Sequence, residues 1–296
     1  MPKNTPPADV AISHDLIHAL LQEFAPDLAD EPVEHVGSGW DNEMHRVGDH
    51  HAVRLPRREA SSQLIENEHR WLPELEDQLP ILIPTPTFAG QPAFGFPWRW
   101  SVVPWLAGVP LAHAPMFDQA SIAEDLAEFL NALHTVAPGD APHNPYRGVP
   151  LGDRTGALRA SIEELDPEMA TDTQALWDEL VDTPAWGGDP LWIHGDLHPL
   201  NLLVRAGRLS AAIDFGDVSA GDPATDFAIA WMLFDVDERE AFRKALYIDG
   251  KSIDIHTWNR ARAWALSLGA TYVANSADDP TLRRIGNATL IRALEV

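Results

Sequence analysis

Two stretches of sequence decide the fold, HGDLHPLN at residues 194–201 and IDFGD at residues 213–217. The first follows a short apolar run at 191–193 that is typical of a strand. Between the two stretches, apolar runs at 202–204 and 209–213 flank a short turn and predict a hairpin. The pattern therefore predicts an acid and an amide on one loop, with a second acid returning at the end of the hairpin.

The acid, the amide and the second acid suit the transfer of a phosphoryl group to a hydroxyl. A carboxylate must orient the attacking hydroxyl and accept its proton, and oxygen ligands must hold Mg²⁺ against the donor phosphates. Asp196, Asn201 and Asp214 supply these groups in that order. The same order occurs in the protein-kinase pattern H-R-D-x-x-x-x-N followed by D-F-G, except that Gly195 stands where those kinases have arginine.

With glycine at that position, the pattern HGDxHxxN followed by IDFxD resembles the aminoglycoside phosphotransferase family, a small-molecule branch of the protein-kinase-like fold. The resemblance includes the segments 52–55, 102–108 (VVPWLAG) and 221–226 (GDPATD), in the family's order. It implies an α+β, two-lobed protein-kinase-like fold. The expected division is a β-rich, nucleotide-binding N-terminal lobe at 1–106 and a helical, catalytic and substrate-binding C-terminal lobe at 107–296.

The resemblance also implies roles for the motif residues. Asp196 would be the catalytic base, Asn201 and Asp214 would bind Mg²⁺, and ATP or GTP would be the phosphoryl donor. Three further motif residues would support the site: His194 within the loop, Asp217 beside the site or the substrate, and Asp226 through backbone contacts in the C-terminal lobe.

The nucleotide would be held by the N-terminal lobe. The family resemblance implies that Gly37, Ser38 and Gly39 lie in a hairpin that covers the phosphates, although the full G-x-G-x-x-G pattern is absent. Val103 and Trp105 would lie in the hinge and offer backbone groups to the base of the nucleotide.

One position departs from the family. The strand residue that grips the α- and β-phosphates is usually lysine, whereas Arg54 stands there in this chain. Arginine is always charged and can bind phosphate through two hydrogen bonds, so it can take over that role. Its acidic partner would come from the following helix, and we expect Glu68, with Glu66 as the alternative.

Hydrophobic periodicity agrees with a division into two lobes. The first 105 or so residues read as short strands with two helices, and the pattern turns helical after Gly108. In the first part, we expect helices at 13–28 and 59–79 and strands at 33–36, 43–47, 52–55 and 100–106. The later part is expected to hold helices at 118–135, 155–165 and 171–182 and a mostly helical segment from Pro223 onward.

Composition limits the partners. The net charge of −24 disfavours nucleic acid and anionic membrane surfaces. It favours a cationic small-molecule acceptor, especially since residues 153–189 hold ten acids and two bases. No stretch reaches membrane-spanning length, the polar segment 1–9 has no apolar signal-peptide core, and cysteine is absent. We therefore expect a cytoplasmic protein without a membrane partner.

Several alternatives remain at this point. A zinc site at His194 and His198 is disfavoured, because Gly195 and Pro199 argue against the regular helix that such a pair needs. A metabolite kinase of the choline, homoserine or sugar-amine type fits the motifs nearly as well as an antibiotic kinase. Only one feature favours a catalytically silent nucleotide-binding regulator, namely Arg54 in place of the family's usual lysine. A protein kinase is disfavoured by Gly195 and by the lack of an A-P-E-like segment.

Overall fold

The computed structural model describes residues 5–114 and 117–295. The first four residues of the polar N-terminal segment therefore lie outside the described part. Within the described ranges, no helix combines the length and the apolar character needed to cross a bilayer.

The N-terminal part is one antiparallel sheet of five strands with two helices, one before the first strand and one between the third and the fourth. The strand order is β1-β2-β3-β5-β4, so each strand pairs only with antiparallel neighbours. These elements are α1 (His14–Phe24), β1 (Val33–Ser38), β2 (Asn42–Val47), β3 (His51–Pro56), α2 (Glu59–Glu76), β4 (Phe88–Gly90) and β5 (Trp100–Pro104).

The C-terminal part is mainly helical and carries short strand pairs. Its elements are β6 (Val109–Pro110), α3 (Gln119–Leu133), α4 (Leu151–Ile162), α5 (Pro167–Leu180), β7 (Leu191–Ile193), β8 (Leu202–Arg205), β9 (Arg208–Ala212), β10 (Ser219–Gly221), α6 (Ala224–Phe227), α7 (Ile229–Leu233), α8 (Val236–Ala245), β11 (Tyr247–Ile248), β12 (Lys251–Ser252), α9 (Ile255–Asn275) and α10 (Pro280–Leu294). The expected α+β, two-lobed organisation is confirmed.

Many of the acids serve as helix caps. A side-chain carboxylate accepts hydrogen bonds from backbone N–H groups at the start of each of five helices, which satisfies donors that the helix itself leaves unpaired. Replacing such a cap with alanine typically costs about 0.5–2 kcal/mol. The capping residues are Asp118, Asp166, Asp235, Asp254 and Asp279.

Two apolar cores hold the molecule together. The smaller core packs α1 against one face of the sheet through Ile17, Leu20 and Val53, among others. The larger core fills the helical part and also takes in Trp71, whose ring lies 5.0 Å from that of Trp192 in β7, measured between centroids. Helix α2 therefore belongs to the N-terminal part in sequence but is anchored in the C-terminal core.

Candidate active site

The loop between β7 and β8 presents the predicted acid and amide. Asp196 lies on this loop with 28% of its side chain exposed. The amide nitrogen of Asn201 donates to the backbone carbonyl of Asp196 at 3.0 Å, which leaves the amide oxygen as the atom suited to a metal ion. The N–H of Ile213 donates to the Asn201 carbonyl at 2.9 Å and so brings Asp214 next to Asn201.

Gly195 allows the loop to turn. Its φ of +85° lies in the left-handed region, where a side chain is strained. A Cβ there would lie 2.6 Å from the Asp217 carbonyl oxygen, which is closer than such contacts occur. Arginine, which protein kinases carry at this position of the motif, cannot be accommodated in this loop.

Asp226 stabilises the loop by accepting hydrogen bonds from its backbone, as expected of this residue. One of its oxygens accepts from the N–H of His194 at 2.8 Å and the other from the N–H of Gly195 at 2.9 Å. The ring of His134 lies 3.0 Å from the first oxygen. The His194 ring, in turn, donates from Nε2 to the Ile213 carbonyl at 3.0 Å, so it joins the loop to the hairpin.

Arg54 and Glu68 form the expected pair. Nη1 of Arg54 lies 2.8 Å from both carboxylate oxygens of Glu68, and both side chains are buried. Nη2 of Arg54 donates to Oδ1 of Asp214 at 3.1 Å across the cleft. Glu66, the alternative partner, instead faces Arg99 at 3.5 Å. The β3 arginine thus bridges the α2 acid Glu68 and the motif acid Asp214.

Asp214 stands in an unusual backbone conformation. Its φ of 63° and ψ of 65° place it in the left-handed region, which costs free energy for a residue other than glycine. Its side chain is 54% exposed, and its Oδ1 accepts the hydrogen bond from Arg54. Together with the amide oxygen of Asn201, it provides the oxygen ligands that Mg²⁺ prefers. The donor set therefore fits the implied metal ion.

Two residues at the site were not anticipated from sequence. Nη2 of Arg147 donates to Oδ1 of Asp196 at 2.9 Å, and its Nε lies 3.3 Å from Oδ2 of Asp217. The hydroxyl of Tyr272 in α9 donates to the same Asp196 oxygen at 3.3 Å. Neither residue lies in a sequence motif, and the close approach of Gly148, next to Arg147, to Gly221 is visible only in three dimensions.

Arg147 lowers the pKa of both neighbouring acids but outweighs burial at only one of them. Burial alone would raise the pKa of Asp196, but the guanidinium of Arg147, with smaller contributions from His198 and His194, outweighs burial and lowers it. For Asp217, burial raises the pKa, Arg147 counters it only in part, and the negative charge of Asp196 adds to the increase. The pKa of Asp196 is therefore the lower of the two, so it is the more readily ionised carboxylate.

Burial also shifts the pKa of two neighbours of Asp196, His198 and Tyr272. Burial lowers the pKa of His198, whose Nε2 lies 3.7 Å from Asp196 Oδ2, beyond hydrogen-bond distance. Burial also raises the pKa of Tyr272 well above its ordinary value, so its hydroxyl stays protonated and donates to Asp196.

The glycine segment lies in a hairpin, away from this set of hydrogen bonds. Gly37 and Ser38 end β1, and Gly39 begins the turn to β2, where its N–H donates to the Asn42 carbonyl at 2.9 Å. The carbonyl of Gly39 accepts from Arg57 Nη1 at 2.7 Å, which ties the turn to the end of β3.

The backbone N–H groups of the expected hinge residues face the neighbouring strand. The N–H of Trp105 donates to the His50 carbonyl at 2.7 Å, and Val103 stands in register with Ala52 of β3. Because backbone groups in an antiparallel ladder point alternately to either side, both residues direct their N–H groups into the sheet. These N–H groups are therefore unavailable to a nucleotide.

The chain is similar to known proteins over part or most of its length. The phosphotransferase enzyme family model matches residues 32–264. An uncharacterized protein of Bacillus subtilis (strain 168), YcbJ, is 28% identical over 182 residues, which cover 60% of this chain and 57% of that relative. An aminoglycoside 3'-phosphotransferase of Escherichia coli is 25% identical over 114 residues, covering 37% and 42%. The chain thus matches only about half the length of these curated relatives.

Solved structures share the fold over nearly the whole chain. The GDP and kanamycin complex of APH(2")-IIia superposes with a TM-score of 0.71 at 20% identity, covering 94% of this chain and 97% of the other. The macrolide 2'-phosphotransferase MphH of Brachybacterium faecium gives 0.62 at 22% identity, covering 92% and 97%. Since the family model spans most of the sequence, the chain belongs to the phosphotransferase enzyme family.

Proposed function

We propose that this phosphotransferase moves the γ-phosphoryl group of ATP or GTP to a hydroxyl of a small cationic molecule, and that it does so in the cytoplasm. The proposal rests on the proximity of four residues. Asn201 hydrogen-bonds with the backbone of Asp196 and of Ile213, the neighbour of Asp214, and Asp214 accepts a hydrogen bond from Arg54. A carboxylate, oxygen ligands for a metal ion and a cation are the groups that phosphoryl transfer from a triphosphate requires, and their proximity supports the proposal.

In the proposed reaction, Asp196 orients the acceptor hydroxyl and takes its proton as the new O–P bond forms. The bond between the γ-phosphorus and the bridging oxygen breaks, and the nucleoside diphosphate leaves. Mg²⁺, held by Asn201 and Asp214, would neutralise charge on the phosphates. Arg54 binds the phosphates that are not transferred, and Tyr272 holds the Asp196 carboxylate in place. Positioning and electrostatics then supply the catalysis.

The nucleotide is proposed to bind to the N-terminal lobe, residues 1–106, and the acceptor to the C-terminal lobe, residues 107–296. The hairpin at Gly37, Ser38 and Gly39 would cover the phosphates. Within β5, the backbone alternation that turns Val103 toward β3 turns the Pro104 carbonyl toward the opposite edge. We assign a contact with the nucleotide base to this carbonyl.

A cationic acceptor is favoured by charge. Helices α4 and α5, which hold most of the acidic segment 153–189, pack against α9, and α9 carries Tyr272 to Asp196. Kanamycin, an aminoglycoside, is bound in one structural neighbour, and another neighbour is a macrolide phosphotransferase. A polyamine-like antibiotic is therefore our first candidate, and a metabolite with an amine is the second.

The test is nucleoside-diphosphate release in a coupled assay, with ATP and GTP, over aminoglycosides, macrolides and hydroxylated amines. We expect acceptor-dependent turnover with at least one cationic acceptor, and a turnover that is lower by orders of magnitude with Asp196→Asn. Donor binding without turnover on any acceptor would contradict the proposal and favour a silent nucleotide-binding regulator. Asp214→Ala should abolish the dependence of donor binding on Mg²⁺, and an unchanged metal titration would remove Asp214 from its proposed role.

A further inference from the structure

Three potential metal ligands meet on the first two strands of the sheet, away from the active site. His35 of β1 stands directly opposite His45 of β2, and Glu43 lies two residues before His45 on the same strand. Nε2 of His45 is 2.8 Å from Oε1 of Glu43, and Nε2 of His35 is 3.9 Å from the same oxygen. One ligand atom from each of the three residues lies within 4.8 Å of the other two.

These distances match the size of a metal site. When metal–ligand bonds are about 2.0–2.1 Å, neighbouring ligand atoms of a tetrahedral site are about 3.3 Å apart. The two separations from Glu43 fall on either side of that value. His35 is 53% exposed, so its ring can rotate to close the longer gap, whereas His45 is nearly buried and positioned by the sheet.

The cluster lies on the sheet face opposite Arg54. In the β2–β3 register, Glu43 and His45 stand opposite Leu55 and Val53, whereas Arg54 stands opposite Met44. Because side chains alternate between the faces of a sheet, the cluster shares its face with the core under α1 and not with the donor site. Its ligands are therefore independent of the proposed Mg²⁺ site.

We propose that His35, Glu43 and His45 form a binding site for Zn²⁺ or a similar divalent transition-metal ion. Two imidazole nitrogens and one carboxylate oxygen suit such an ion, whereas Mg²⁺ prefers oxygen ligands alone. The fourth position would be open to water or to the Ser38 hydroxyl, which lies 3.4 Å from His35 Nε2.

A bound ion would cross-link β1 and β2 just before the glycine turn. The pairing of these strands is irregular between His35 and Gly37, where one residue bulges. A metal bond from His35 to the two β2 ligands would hold the strands in register at that point. The site thus offers a means of stiffening the hairpin from the face that the nucleotide does not touch.

The test uses the untagged full-length chain, stripped with a chelator and titrated calorimetrically with Zn²⁺ and, in parallel, with Mg²⁺. We expect one Zn²⁺ per chain, visible d–d absorption bands when Co²⁺ is used instead, and slower hydrogen exchange in residues 33–47. His35→Ala, at an exposed position, should weaken Zn²⁺ binding by at least about tenfold. Glu43→Gln, which can still accept the hydrogen bond from His45, should weaken it similarly.

His14→Ala is the matched control, because His14 and His18 form a second pair of histidines on α1, with ring centroids 4.4 Å apart. The variant should bind Zn²⁺ as the wild type does. The proposal is overturned if the wild type takes up no Zn²⁺, if His35→Ala and Glu43→Gln bind normally, or if His14→Ala alone abolishes binding.

Discussion

The low pKa of Asp196 depends mainly on one neighbour. Arg147 is the main group that counters burial and keeps the pKa of this carboxyl low. Replacing it with methionine preserves much of the volume but removes the charge, so burial should then raise the pKa of Asp196. The acid limb of the pH profile of kcat/KM should therefore move to higher pH. Arg147→Lys should restore it in part, and an unchanged limb would show that Arg147 does not control the base.

The base itself is tested by Asp196→Asn. Loss of a general base typically lowers turnover by about 10²- to 10⁴-fold. We expect a decrease in kcat of that order with donor affinity largely retained, measured by single-turnover kinetics and by donor titration. Substantial residual activity would mean that another group accepts the proton.

Gly195 permits a loop geometry that no other residue type adopts easily. In Gly195→Ala, the new Cβ would collide with the Asp217 carbonyl, and the positive φ would be strained. We expect activity to fall sharply and the melting temperature to drop by a few degrees. Gly152→Ala, at a helical position where a Cβ meets nothing within 4 Å, is the control and should change neither property.

At the scale of elements, the contact between β3 and α2 depends on a buried ion pair. Removing one partner of such a pair typically costs about 3–5 kcal/mol, because the other charge stays buried. Arg54→Leu should therefore lower the free energy of unfolding by about that amount. The double variant Arg54→Leu/Glu68→Leu should recover most of the loss, as followed by urea denaturation.

The same double variant separates stability from binding. If Arg54 grips the donor phosphates, the restabilised protein should still bind ATP or GTP many-fold more weakly than the wild type does. Equal affinity would leave Arg54 with a structural role alone.

Elements and contiguous motifs could be read from the sequence, whereas contacts between distant segments could not. The prediction of a helix at 59–79 overran α2 by three residues, and the helix predicted at 171–182 starts earlier because Pro167 occupies its first turn. Arg147 lies 49 residues from Asp196 and Tyr272 lies 76 residues away, and neither belongs to a motif. The backbone direction at Trp105 depends on strand register, which composition does not reveal.

At the scale of the molecule, the net charge of −24 creates a field that attracts cations and repels anions. If the acceptor is cationic, its KM should rise several-fold as ionic strength increases from low to physiological values and beyond, because salt screens that attraction. The KM of the anionic donor should stay level or fall over the same range. A cationic acceptor whose KM is indifferent to salt would show that overall charge does not guide binding.

The bond between Arg54 and Asp214 has a further consequence. It joins a strand of one lobe to the motif acid of the other and occupies Oδ1 of Asp214. Under the proposed roles, a metal ion and the donor phosphates compete with this bond for the same two side chains. When both bind, the ion pair between Arg54 and Asp214 would be replaced by two others, Arg54 with the phosphates and Asp214 with the metal ion. Binding of the metal ion and binding of the donor are therefore thermodynamically linked. Each should strengthen the other's binding by the same factor.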